Sequence, residues 1–171
     1  MAKDVTGRMS GPDSSRSGRR PVRPQPSPTQ RGLALLTRRE HSRFELAAKL
    51  VARGIDADEA EAAVAKLGEA GWQDEARFAD FIVRSRAATG HGPVRIRAEL
   101  GTHRLDGELV AAALERFEGD WVAIARDLVQ RRYGDGIHDN LALRRKAADL
   151  LFRRGFNGDQ VRAAIRFDPD D

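Results

Sequence analysis

Three stretches decide the fold: KLVARGIDADEAEAAVAKL (49–67), ELGTHRLDGELVAAALERF (99–117) and LLFRRGFNGDQVRAAIRFD (150–168). Laid over one another at offsets of 50 and 51 residues, they place apolar side chains at the same four positions. Leu50 falls on Leu100 and Leu151, Ile55 on Leu105 and Phe156, Ala60 on Val110 and Val161, and Val64 on Leu114 and Ile165. A polar residue follows the second of these each time: Asp56, Asp106 or Asn157. A side-chain oxygen at such a place accepts a free N–H of the first helical turn and so marks a helix start. Apolar and capping positions that recur in step are the signature of a tandem helical repeat.

The rest of the body extends the pattern. Ser42 with Glu45 forms a capping box for a helix running to about Arg53, with Gly54 after it. Asp56 with Glu59 opens a helix ending near Gly71, and Asp74 opens one through Phe78, Phe81 and Ile82 to Gly90. Pro93 suits a first helical position, which gives a helix to about Gly101. Asp106 opens another, Asp120 one that ends at Gly134, Asp139 or Asn140 one that ends at Gly155, and Asn157 one stopped by Pro169. Sustained period-2 alternation is missing, so no sheet is expected. Trp72 and Trp121 each start a helix after the paired ones, which suggests three-helix modules of about 50 residues.

The expected fold is therefore all-α, an elongated array of three tandem three-helix repeats behind a disordered basic N-terminal tail. Modules this small bury little alone and share faces when stacked. The expected divisions are a tail over 1–31 and repeats over 32–90, 91–134 and 135–171. The first repeat borrows Leu33, Leu35 and Leu36 from a helix before Ser42, and the third is shortened because little chain follows Phe167.

The tail stands apart by composition. The net charge of the 171-residue chain is +4. Residues 1–32 carry seven basic and two acidic side chains, so the body from residue 33 is left at −1. Five of the seven prolines (Pro12, Pro21, Pro24, Pro26, Pro28) lie in the tail, with few apolar residues to offset the entropy of ordering it. No cysteine is present, which excludes a disulfide framework and cysteine-based zinc sites or nucleophiles. No apolar run approaches the length of a membrane span, and the N-terminus lacks the apolar segment of a secretory signal. A soluble, cytoplasmic, monomeric protein without membrane contact is expected.

Catalytic chemistry finds little support. His41, His91, His103 and His138 are scattered without metal-ligand spacing, so no metal or other cofactor is implied. Gly90-His91-Gly92-Pro93 invites comparison with a phosphate loop, but no strand precedes it and no Gly-Lys-Ser/Thr follows; a helix stop and restart is the plainer account. An enzyme is the least favoured class. Arginine is more informative, since 26 of the 30 basic residues are arginine, the side chain suited to bidentate pairing with phosphate or carboxylate. Arg84, Arg86, Arg95 and Arg97 fall in an acid-free stretch, Arg144, Arg145, Arg153 and Arg154 form a second group, and Arg131 and Arg132 close the Trp121 helix beside Tyr133. These eleven residues are the candidates for contact with a partner or with DNA. For most of the aromatics (Trp72, Phe78, Phe81, Phe117, Trp121, Phe152 and Phe156) core packing is expected.

Four segments, LLTRREHSRFELAAKL (35–50), GWQDEARFADFIVRSRAATGHGPVRIRAEL (71–100), DWVAIARDLVQRRYG (120–134) and DLLFRRGF (149–156), together resemble the RecX family of bacterial recombinase regulators. The resemblance runs over roughly residues 31–167. It implies three tandem three-helix repeats and a protein that binds RecA, chiefly as the filament on single-stranded DNA. It further implies that the protein limits filament growth or stability and so lowers ATP hydrolysis, strand exchange and SOS coprotease activity. Some members of the family also contact DNA directly. Two positions depart from the family pattern. Arg104 stands where the sister repeats have Gly54 and Gly155, and His91 stands where a bulky or aromatic residue is common. A stand-alone DNA-binding protein of helix-turn-helix type is the alternative, disfavoured by the −1 body.

Overall fold

The computed structural model describes residues 25–137 and 140–166. Among these residues are nine helices and no strand: α1 (Pro28–Leu36), α2 (Arg43–Val51), α3 (Ala57–Glu69), α4 (Glu75–Ala88), α5 (Pro93–Thr102), α6 (Gly107–Glu115), α7 (Trp121–Tyr133), α8 (Leu141–Arg154) and α9 (Gly158–Ile165). A 3-10 turn, Asp135–Ile137, lies between α7 and α8. Eight of the nine starts carry a side-chain cap, from Ser27, Ser42, Asp56, Asp74, Asp106, Asp120, Asn140 and Asn157. Each such cap stabilises its helix by about 1 kcal/mol. The exception is α5, which begins at Gly92 with no side-chain cap.

The apolar positions gather into three cores. Leu35, Leu46, Leu50, Ala60, Val64 and Leu67 join α1, α2 and α3. Phe78, Ile82, Ile96, Leu100 and Val110 join α4, α5 and α6. Val129, Ala147, Leu151, Phe156 and Val161 join α7, α8 and α9. The aligned leucines Leu50, Leu100 and Leu151 are all fully buried, as the repeat required. A further aligned set, Ala63, Ala113 and Ala164, is also buried, and its small size lets the third helix of each unit approach closely.

The cores divide the chain differently from the boundaries expected at 90/91 and 134/135. The units are α1–α3, α4–α6 and α7–α9, and the third is complete rather than shortened. A repeating pattern fixes a period but not the point at which the unit begins; only the sharing of a core settles that. The helix after Trp72 opens the second unit instead of closing the first. The two tryptophans are also not equivalent. Trp72 precedes its cap Asp74 by two residues and is largely exposed, whereas Trp121 directly follows Asp120 and packs between the second and third cores. Phe152, expected in a core, is exposed as well.

The expected tail also ends sooner. Ser27 and Gln30 form a capping box and Pro28 occupies the first turn of α1, so two features read as tail are helix-start signals. The rest of the expected tail, His138, Asp139 and the stop at Pro169 lie outside the described residues.

The second helices of the three units meet end to end, in reverse chain order. At the start of α5, Gly92 N–H donates to Arg154 O (2.8 Å) and Val94 N–H to Gly155 O (3.0 Å). The free N–H groups of α5 are thus satisfied by the terminal carbonyls of α8, with the two helix dipoles in favourable order. This contact needs two glycines. A Cβ on Gly92 would stand 2.3 Å from Gly155 O, and one on Gly155 would stand 2.4 Å from the Cβ of Arg95. Gly155 also holds a left-handed φ of 86°.

A second junction joins the end of α5 and the start of α4 to the start of α2. Ser42 Oγ lies 3.0 Å from His103 Nδ1, and Arg43 N–H donates to Glu75 Oε1 (3.1 Å). Arg104 has a φ of 60°, which costs a non-glycine residue about 1–2 kcal/mol. Its guanidinium lies 4.2 Å from the centre of the Phe44 ring, a cation–π contact across the two units that offsets part of this strain.

Gly92→Ala should lower stability in urea unfolding by about 1–3 kcal/mol through the clash at Gly155 O. Gly101→Ala, where a Cβ meets nothing within 4 Å, should raise it by about 0.5–1 kcal/mol. Equal effects of the two substitutions would contradict the junction.

Candidate functional site

The structure merges two of the arginine groups and splits others. Arg95, near the start of α5, sends Nη1 to Arg153 O (3.4 Å), and Arg154 Nη1 donates to Thr89 O (3.1 Å). Arg95, Arg153 and Arg154, 58 and 59 residues apart in sequence, therefore surround the α5–α8 junction. His91 lies in the same turn. Burial first, and then the positive charge of Arg154, Arg95 and Arg86, holds its imidazole below the usual histidine range. His91 therefore remains neutral in this cationic setting at neutral pH.

Arg86 is differently engaged. It makes a bidentate pair with Glu99 across α4 and α5, with Nη2 2.6 Å from Oε1 and Nε 2.8 Å from Oε2. The hydrogen bonds from Arg86 hold the Glu99 carboxyl below its ordinary value. Arg86 thus serves the second unit itself. Arg84 lines a cavity of about 390 Å³ beside Phe117 and the Arg116–Asp80 ion pair (2.8 Å). Arg84 and Arg97 are exposed and carry no ion pair among the described residues.

The remaining candidates gather where α7 ends and α8 begins. Arg131 pairs with Asp127 (2.6 Å), while Arg132 and Arg145 are exposed. Arg144 Nε donates to Ile137 O (3.3 Å). Tyr133 is half-buried against the third core and its hydroxyl donates to Lys146 O (3.3 Å), so its ring is a packing element more than an open stacking platform.

Sequence reasoning missed the α2–α5 seam. Besides Ser42, His103, Phe44 and Arg104, it contains Arg43 Nε donating to Gln73 Oε1 (3.2 Å), Gln73 Nε2 donating to His41 O (3.3 Å) and an Arg77–Glu40 pair (3.0 Å). Burial pushes the Glu75 carboxyl above its ordinary value. The unusual residue Arg104 was the one signal of this seam in the sequence. Nothing in the sequence tied it to Phe44, 60 residues away.

Three family models match the chain in order: the first three-helix domain of RecX over residues 30–67, the second over 74–114 and the third over 118–165. The chain is 60% identical over 163 residues to "Regulatory protein RecX" of Stenotrophomonas maltophilia (strain R551-3), covering 95% of this chain and all of that protein. The chain belongs to the RecX family.

The same named protein of Xanthomonas axonopodis pv. citri (strain 306) is 60% identical over 145 residues, covering 85% of this chain and 90% of the relative. The crystal structure of RecX from Lactobacillus salivarius superposes with a TM-score of 0.68 at 22% identity, covering 81% of this chain and 92% of that one. That likeness supports the fold. The three RecX domains fall on the three cores, in the phase that the structure assigns. RecX is a regulatory-protein family, and no described helix is long and apolar enough to cross a membrane.

The raised Glu75 gives a pH test. A carboxyl raised by burial favours folding below its unfolded pKa, and that contribution is lost as pH rises through its folded pKa. Glu75→Gln should therefore gain stability over the parent at pH 7 in urea unfolding, and the gap should close near pH 4. A variant less stable at pH 7 would show that the Arg43 contact outweighs the burial.

Proposed function

We propose that this RecX-family protein is a negative regulator of RecA. It binds the RecA filament on single-stranded DNA, limits its extension or stability, and thereby lowers ATP hydrolysis, strand exchange and SOS coprotease activity. It acts by binding, without catalysis or cofactor. The observation that carries this reading is the presence of all three RecX domains, in order, in one chain with arginines distributed along a line of helices joined end to end. Arginine suits both acidic protein surfaces and phosphates, which a nucleoprotein filament offers together.

The helix-turn-helix alternative fares worse. In such domains the third helix enters the groove with its first residues toward the bases. Here those starts are acidic: Asp56, Asp58 and Glu59 at α3, Asp106 and Glu108 at α6, and Asp159 at α9. Carboxylates there would repel phosphate.

The candidate arginines divide into engaged and free, which the RecA ATPase on single-stranded DNA can resolve. The protein should inhibit this activity at near-stoichiometric amounts; absence of inhibition sinks the proposal. Arg97→Glu with Arg145→Glu should raise the half-inhibitory concentration about tenfold with helicity unchanged. Arg86→Ala should mainly reduce stability, because Arg86 is committed to Glu99.

A further inference from the structure

Six large apolar side chains are exposed among the described residues: Phe44, Val51, Trp72, Val94, Leu141 and Phe152. Four of them share one address. At the repeat offsets of 50 and 51 residues, Phe44 corresponds to Val94 and Arg145, Ala48 to Ala98 and Asp149, and Val51 to Gly101 and Phe152. All nine positions are exposed. Within each helix they stand at i, i+4 and i+7, which is one face. Each second helix therefore presents the same face outward, away from its own core.

The end-to-end junctions turn three faces into a series. Arg104 at the end of α5 lies over Phe44 at the start of α2, and Val94 at the start of α5 is held by Gly155 at the end of α8. Positive charge accompanies the apolar residues. Arg97, Arg145 and Arg153 are exposed along α5 and α8, and Asp149 is the one acid at the nine positions. Exposed apolar side chains beside arginine are the composition of protein-contact anchors. A nucleic-acid track would instead combine a basic groove with a run of stacked aromatics, whereas only Phe44 and Phe152 among the nine positions are aromatic, and Arg104 lies over the Phe44 ring.

We infer that α2, α5 and α8 form a three-point docking surface for a partner that itself repeats: an acidic protein surface presented at regular intervals by identical subunits, one contacted by each unit. Taken with the proposed function, this partner is the protein of the filament, and the faces grip successive subunits instead of the DNA. Three equivalent contacts on one chain gain avidity only on a repeating target, which gives preference for the polymer over the free subunit.

The test uses the full chain with RecA filaments assembled on poly-dT, read by co-sedimentation. Val51→Ser, Val94→Ser and Phe152→Ser, one per unit, should each raise the half-saturating concentration about fivefold, and the triple variant by about a hundredfold. Trp72→Ser, exposed but off this face, should bind as the parent does. Binding of all variants to naked poly-dT should equal that of the parent, and circular dichroism should show unchanged helicity. Three silent substitutions with a binding parent would overturn the inference and leave the proposed function standing. Loss from one unit alone overturns the three-point arrangement, and an equal loss on naked poly-dT assigns the face to nucleic acid. A parent that ignores the filament removes the proposed function itself, and this inference with it.

Discussion

The fold depends on a contact between two helix ends. The first N–H groups of α5 are satisfied by the last carbonyls of α8, through Gly92 to Arg154 and Val94 to Gly155. A helix end without partners leaves polar groups unmet, and each buried one costs about 1–3 kcal/mol. The other eight helices solve this with a side chain from their own start; α5 solves it with a neighbouring unit. The second and third units are therefore tied by backbone geometry. At 2.3 Å from Gly155 O, a Cβ on Gly92 would force the two helix ends to shift.

The α2–α5 junction does the same work with side chains. It relies on Ser42 with His103, Arg43 with Glu75 and Gln73, and Arg104 over Phe44. One of its residues, Arg104, is held at a positive φ. The two joints are thus built from different groups, backbone at one and side chains at the other. The first unit is the one set by polar side chains, the third by backbone.

Much of the fold was legible in the sequence because local signals carried it. Caps at Ser42, Asp56, Asp74, Asp106, Asp120 and Asn157 all start helices, and the aligned Leu50, Leu100 and Leu151 are core residues in three separate cores. What failed was phase. Trp72 and Trp121 looked alike as aromatic helix starts, but their places relative to Asp74 and Asp120 differ, and that difference puts one in solvent and the other between cores. The site was less legible for a related reason. Gly90-His91-Gly92-Pro93 reads correctly as a stop and a restart, yet its function depends on Gly155, which no local pattern connects to it. Arginine clusters in the sequence also did not distinguish Arg86, committed to Glu99, from Arg97, which is exposed and carries no ion pair among the described residues.

The central claim is that the line of second helices, with its repeated outward face, is the surface that meets the partner. Hydrogen exchange with and without RecA filaments on single-stranded DNA tests it directly. Protection should rise in α2, α5 and α8 together, while the acidic starts of α3, α6 and α9 stay unchanged. New protection confined to α3, α6 and α9, or absent from the second helices, would contradict the account.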